Sequence, residues 1–236
     1  REGTDDNIVD VQKIPITESR PVWFIYSGMG SQWPGMGKGL MKVPLIDESL
    51  RNSSKCVEEY GVDVYGMLNN PDPSQYKNNT LNCMLAIAAI QIAITDLLNF
   101  LGITPDGIVG HSTGEMGCGY ADGGLTREQT MKLAYHRGKS IMTSKLPFEG
   151  GMAAVGLTWE EAAKRCPEGV VPACHNGADS VTISGEATIV KKFVDELTKE
   201  EIFAKYVDSS GIPFHSPVMH RCKDSMLNAM KTAITS

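Results

Sequence analysis

The sequence predicts an α/β fold in which a large subdomain with a parallel sheet carries a smaller, inserted subdomain. Three observations support this. Apolar runs of strand length alternate with helical runs from Pro21 to Leu146, an order that implies a mostly parallel sheet under a layer of helices. At "IVGHSTGEMGCGYADGG", residues 108–124, a short strand runs straight into a glycine-rich turn and then a helix. After "LPFEGG" the rhythm becomes β-α-β-β-α-β, the split unit of ferredoxin-like domains.

From Pro21, "PVWFIYSG" reads as a buried strand ending in glycine, and "GMGSQWPGMGKGL" leads from it towards a helix. Residues 44–68 read as helical, "LNNPDPSQYKNNT" as a turn-rich loop and 81–100 as a long helix. The strand "DGIVG" then enters the glycine-rich turn. Thr126 and Gln129 form a capping box, opening a helix with Met131, Ala134, Tyr135, Gly138, Ile141 and Met142 on one face. Strands at Met152–Leu157, Val170–Cys174, Val181–Ser184 and Phe203–Val207 enclose helices at Trp159–Arg165 and Ile189–Lys199. "GIPFHSPVMHRC" resumes with a new helix. The expected organisation is a linker at 1–20, a large subdomain at 21–147, a small ferredoxin-like subdomain at 148–208 and a return to the large one at 209–236.

Composition removes several function classes. A formal net charge of -6 over 236 residues offers no basic field to a phosphate backbone, so nucleic acid is not an expected partner. "CMLAIAAIQIAI" is interrupted by Gln91 and then Asp96, short of the roughly 18–20 residues that cross a bilayer. It reads as a buried helix, and no membrane association is expected. Six scattered cysteines without a CxxC pair, and no secretory leader, point to reduced thiols and a cytoplasmic location. No Cys, His or carboxylate cluster has ligand spacing, so no metal is expected. A first residue of Arg1 rather than Met reads as a piece excised from a longer protein.

The chemistry centres on Gly110-His-Ser-Thr-Gly114, which fits the G-x-S-x-G elbow that projects a serine, Ser112, from a sharp strand-to-helix turn. Glycine inside a helix is disfavoured by about 1 kcal/mol relative to alanine. Gly114, Gly117 and Gly119 therefore mark a place where backbones must approach closely. Serine needs a base, and five histidines are available. His111 adjoins Ser112, but neighbours on an elbow point apart, so it reads as packing. His136 reads as a surface or supporting group, and His175 and His220 as structural. His215 precedes Ser216 and Pro217, an N-cap followed by proline at the first helical position, where the helix's positive end would keep an imidazole neutral. Arg137 reads either as a solvated helix-face arginine or as a buried guanidinium gripping a carboxylate. "SGMGSQW" is either a plain glycine loop or the source of a backbone N–H near Gln32 that joins that of Thr113 in an oxyanion hole.

Together these motifs resemble a known family. "SGMGSQWPGMG", "VGHSTGE", "YHRG", "VPACHN" with "VTISG", and "PFHS" follow the order and approximate spacing of malonyl/acetyl-CoA acyl carrier protein transacylases. "GHSTGEMGCGYADG" is most similar to the acyltransferase domain of animal-type fatty acid synthase, with modular polyketide synthases next. The resemblance implies a hydrolase-like large subdomain and an active site in the cleft between subdomains. It makes Ser112 the acylated nucleophile, His215 the base, Arg137 the carboxylate clamp and Gln32 with Thr113 the oxyanion hole. It places Asn176 near the dyad as a substrate-binding residue and lets Phe214 shape the acyl pocket. The implied substrates are malonyl-CoA and acetyl-CoA. The acceptor is the phosphopantetheine thiol of an acyl carrier protein, and neighbouring domains of a multienzyme are further partners; no bound cofactor is implied.

The sequence departs from the family where Cys83-Met84-Leu85 replaces a T-Q-P-like stretch and where Thr113 replaces a larger apolar residue. The resemblance also implies that the large subdomain closes beyond Ser236, so the C-terminal part reads as truncated. Two other readings use the same residues: a serine hydrolase or thioesterase of α/β-hydrolase type, and an inactive fragment or docking domain. The first needs an acidic residue between serine and histidine in chain order. The acidic residues in that interval fall mainly on the helix after the elbow or in the inserted subdomain.

Overall fold

The computed structural model describes residues 20–235, so the linker expected at 1–20 lies, but for its last residue, outside the described residues. Two strands, Trp23–Tyr26 (β1) and Gly107–Gly110 (β2), pair in parallel with Tyr26 opposite Gly110. Parallel neighbours need a long crossover. Here it consists of the helices Pro44–Lys55 (α1), Val64–Asn69 (α2) and Thr80–Phe100 (α3).

The single helical stretch expected over 44–68 is broken. A 3-10 turn at Glu58–Tyr60 ends on Gly61, whose φ of 76° no α-helix can pass through, and Asp63 recaps the chain by accepting the Gly66 N–H at 2.8 Å. Asn79 caps α3 in the same way, accepting the Asn82 N–H at 3.0 Å. At 21 residues α3 is long and apolar enough to span a membrane by composition alone. Its Cys83–Ile90 stretch is instead wholly buried, packed between α1 and the later helix Arg127–Thr143.

The elbow leads through a 3-10 turn, Ser112–Gly114, into Glu115–Ala121 (α4), and Arg127–Thr143 (α5) follows with its Thr126–Gln129 capping box formed in both directions. Asp96 ties these helices together. Its carboxylate accepts from Arg127, Tyr120 and Ser49, each at 2.6 Å, so that α1, α3, α4 and α5 share one polar knot.

The next stretch forms a four-stranded antiparallel sheet: Gly150–Val155 (β3), Val170–Gly177 (β4), Ser180–Glu186 (β5) and Ala204–Val207 (β6), in the order β4-β5-β3-β6. Trp159–Arg165 (α6) and Ala187–Lys199 (α7) are its two helices. β4 and β5 run longer than their apolar cores suggest because they are hairpin partners, each extending the other's ladder through polar residues. β3 starts earlier than expected because Gly150 and Gly151 pair with Glu186 and Gly185.

The chain then returns through a 3-10 turn at Pro217–Cys222 to Lys223–Thr235 (α8), which packs on α5. Two apolar clusters result. The larger is built around α3 and also takes in Met152, Phe214 and Cys222; the smaller lies under the antiparallel sheet, on Val155, Ile183, Val190 and Leu197.

Candidate active site

Backbone contacts build the elbow. A Cβ on Gly114 would fall onto the carbonyl of Tyr26, and one on Gly28 would lie 2.5 Å from the His111 oxygen. The end of β1 and the turn after β2 therefore touch main chain to main chain, which explains Gly28 and Gly114, whereas Gly117 and Gly119 make room for the side chains of Gln91, Tyr26 and Leu125. The His111 N–H donates to the Tyr26 carbonyl and the Gly114 N–H to the His111 carbonyl, each at 2.9 Å. Ser112, between these bonds, takes a φ of 53°, a region that non-glycine residues occupy only when their surroundings impose it.

His215 shows the same kind of strain, with a φ of 60°. Its Nε2 lies 2.7 Å from the Ser112 Oγ, across 103 residues of sequence. His215 keeps access to solvent, but the cleft atoms packed on its ring partly desolvate it and hold its pKa below the ordinary imidazole value, and the positive charge of Arg137 pushes the same way. The helix-end explanation expected from Ser216 and Pro217 is corrected. The element there is a 3-10 turn, and the buried Ser216 hydroxyl donates to the Pro213 carbonyl at 2.7 Å instead of capping it. Among the described residues no Asp or Glu is hydrogen-bonded or ion-paired to His215, so no triad forms there.

Ser112 and His215 open onto a cavity of about 780 Å³. Gln32 lines it from the loop after β1, its side-chain oxygen accepting the Gly30 N–H at 2.9 Å, which ties the amide into its own loop. Thr113 follows Ser112 and is buried, its hydroxyl unpartnered. The first bond of the turn closes at Gly114, so the turn does not use the Thr113 N–H. Buried Phe214 lines the same cavity.

Arg137 does not line this cavity. Phe214 and His215 also border a second cavity of about 510 Å³, whose walls include Arg137, Ile141, Met219 and Met230. Arg137 is half-buried, and among the described residues it has no hydrogen bond or ion pair. Burial lowers its pKa and the charge of Glu115 opposes that shift. An unpaired guanidinium in such a place is unfavourable unless an anion joins it.

Asn176 lines neither cavity. It bonds His111 and Thr182 instead. His111 is therefore more than packing. His136 joins an aromatic group with Tyr60 and Tyr135, His175 lies 5.7 Å from the Trp159 ring, and exposed His220 borders the second cavity. Cys83, Met84 and Leu85 are core residues, with burial pushing the Cys83 thiol up to about 11. Sequence reasoning missed Met152, Cys174 and Thr182 as cavity walls. Strand alternation could have grouped each with its own face, but not shown which face meets the elbow.

A family model for the acyl transferase domain matches residues 23–236. The chain belongs to the acyl transferase domain family. This acyl transferase domain is 36% identical to the highly reducing polyketide synthase sdnO of Sordaria araneosa, over 94% of the chain and 8% of that protein. It is 34% identical to the highly reducing polyketide synthase alnA of Emericella nidulans, over 90% of the chain and 9% of that protein. The domain thus spans under a tenth of the length of these two curated relatives. Among solved structures, the acyltransferase domain from the second module of the salinomycin polyketide synthase matches with a TM-score of 0.80 at 26% identity, covering 90% of this chain and 50% of that one. The malonyl CoA-acyl carrier protein transacylase (fabD) from Coxiella burnetii matches with a TM-score of 0.78 at 26% identity, covering 89% and 68%.

Proposed function

We propose that this domain moves a malonyl group, and also an acetyl group, from coenzyme A to the phosphopantetheine thiol of an acyl carrier protein through an acyl-Ser112 intermediate. The observation that carries the reading is the 2.7 Å contact between the Ser112 hydroxyl and a His215 imidazole kept neutral by its surroundings.

In the first half-reaction His215 Nε2 takes the Ser112 proton while Oγ attacks the thioester carbon. The C–S bond breaks, and the departing coenzyme A sulfur collects the proton from His215. In the second, the carrier thiol gives its proton to His215 and its sulfur attacks the acyl ester; Ser112 leaves and recovers the proton. Charge on the carbonyl oxygen is met by the backbone N–H groups near Gln32 and of Thr113, and the malonyl carboxylate by Arg137. Phe214, shared by both cavities, borders the acyl group. No step calls for a metal, and no metal-holding cluster occurs among the described residues.

The same reading takes the large subdomain as hydrolase-like, at 21–147 and 209–236, and the β-α-β-β-α-β unit at 148–208 as a ferredoxin-like insertion. The strand order β4-β5-β3-β6 supports the latter. The parent protein is a cytoplasmic multienzyme, for which the six free thiols speak. The motifs favour fatty acid synthesis and the relatives favour polyketide synthesis; both use this transfer.

Intact mass after incubation with malonyl-CoA tests the proposal. Wild type gains one malonyl group and Ser112→Ala gains none; an adduct that survives the substitution refutes it.

A further inference from the structure

We infer that Asn176 is a positioning residue that reaches across the cleft to hold His111, and through it the strained backbone of Ser112. Three observations lead there. First, the pairing of β4 with β5 slips between His175 and Gly177, which leaves Asn176 in an irregularity of the strand. Such bulges re-aim a side chain, and they recur beside active sites.

Second, the amide is engaged at both ends. Nδ2 donates to the Thr182 Oγ1 at 2.8 Å, which turns Oδ1 towards His111 Nε2 at 3.0 Å. An amide oxygen only accepts, so His111 carries its proton on Nε2. His111 and Thr182 line the larger cavity, and Asn176, exposed at its edge of the sheet, does not.

Third, the grip falls on the residue before the nucleophile. β1 holds the His111 N–H and the elbow's own turn holds its carbonyl, both within the large subdomain. Asn176 adds a third hold from the other subdomain. A non-glycine residue at a φ of 53° persists when its neighbours over-determine it, and His111 is the neighbour that the small sheet reaches. The position of the sheet is thereby coupled to the direction in which the Ser112 hydroxyl points.

This inference rests on Ser112 being the acylated group, and the test separates the two. Asn176→Ala, Thr182→Val and Thr182→Ser are compared with wild type by rapid-mixing release of coenzyme A, by KM for malonyl-CoA and by the 15N imidazole signal of His111. Since misplacing a reacting atom by about 1 Å can lower a rate by about 10²-fold, Asn176→Ala is expected to slow acylation about tenfold with KM nearly unchanged. It also shifts the His111 Nε2–H signal. Thr182→Val, which removes the hydroxyl that holds the amide, gives a smaller loss of the same kind, and Thr182→Ser, which keeps a hydroxyl there, recovers most of that loss. A raised KM with an unchanged acylation rate in Asn176→Ala would place the amide on the substrate and overturn the inference, as would a wild-type rate and His111 signal in both Asn176→Ala and Thr182→Val. Wild-type protein that forms no acyl-Ser112 refutes the underlying reading instead, and the His111 signal then decides the contact alone.

Discussion

The antiparallel unit and the helical body that surrounds it in sequence are built on opposite plans. In the former, consecutive elements are spatial partners: β4 and β5 form a hairpin, and α7 buries Val190, Phe193 and Leu197 against the sheet it adjoins in sequence. It also carries a second capping box, at Thr158 and Glu161, absent from the sequence-based reading. The helical body instead brings together Ser112, Arg137 and His215, and two of these residues are held in left-handed backbone. The small unit has a core of its own, and the two reacting groups both sit in strained backbone. The small unit also supplies Met152, Cys174 and Thr182 to the cavity wall, so its packing bears on the site without supplying the proposed dyad.

This contrast predicts that changes at the dyad alter rate without altering stability, and that changes in the small core do the reverse. The largest effect is expected for His215→Ala, which should lower acyl transfer about 10²–10⁴-fold, read from the rate of carrier acylation, with the melting temperature almost unchanged. Ile183→Ala, in the fully buried centre of β5, should destabilise the protein by about 2–5 kcal/mol in denaturant titration, while the folded fraction still forms the Ser112 adduct. Equal damage to rate and stability in either variant would break the contrast.

Arg137→Ala sharpens the contrast within the site itself. A charged hydrogen bond contributes about 1.5–3 kcal/mol, so malonyl transfer should fall roughly 10–100-fold while acetyl transfer, which offers no carboxylate, changes little. Equal losses on both substrates would remove the clamp. Thr126→Ala deletes the α5 capping box and should lower stability by about 1 kcal/mol, with transfer unaffected below the melting transition.

The smallest effect is on pH. Because His215 is held below the ordinary imidazole value, it remains a free base through neutrality, and the acylation rate should fall only as pH drops through a midpoint below 6.5. A midpoint above that value would remove the proposed effect of desolvation and of the Arg137 charge.

Local signals made much of this legible. The elbow with Ser112, the Thr126 cap and the alternating small unit all rest on patterns within a few residues, where turn, cap and strand chemistry act, while the resemblance supplied His215 as the base. The same patterns failed over 44–68, where apolar periodicity continued through Gly61 even though its φ ends a helix. They failed again at Ser216, whose hydroxyl found the Pro213 carbonyl before it could cap anything. At Asn176 the resemblance gave proximity to the dyad but not the contacts with His111 and Thr182.

The sequence by itself determined the order of elements, the elbow and the residue types available for acyl transfer, because each follows from short-range propensity and hydrogen bonding. Only the tertiary structure decided that Ser112 and His215 touch, that Arg137 shares a second cavity with His215 and Phe214, and that Asn176 grips His111. Those are contacts between segments many tens of residues apart. Their geometry comes from how the helical body and the sheet pack, and the local sequence does not encode it.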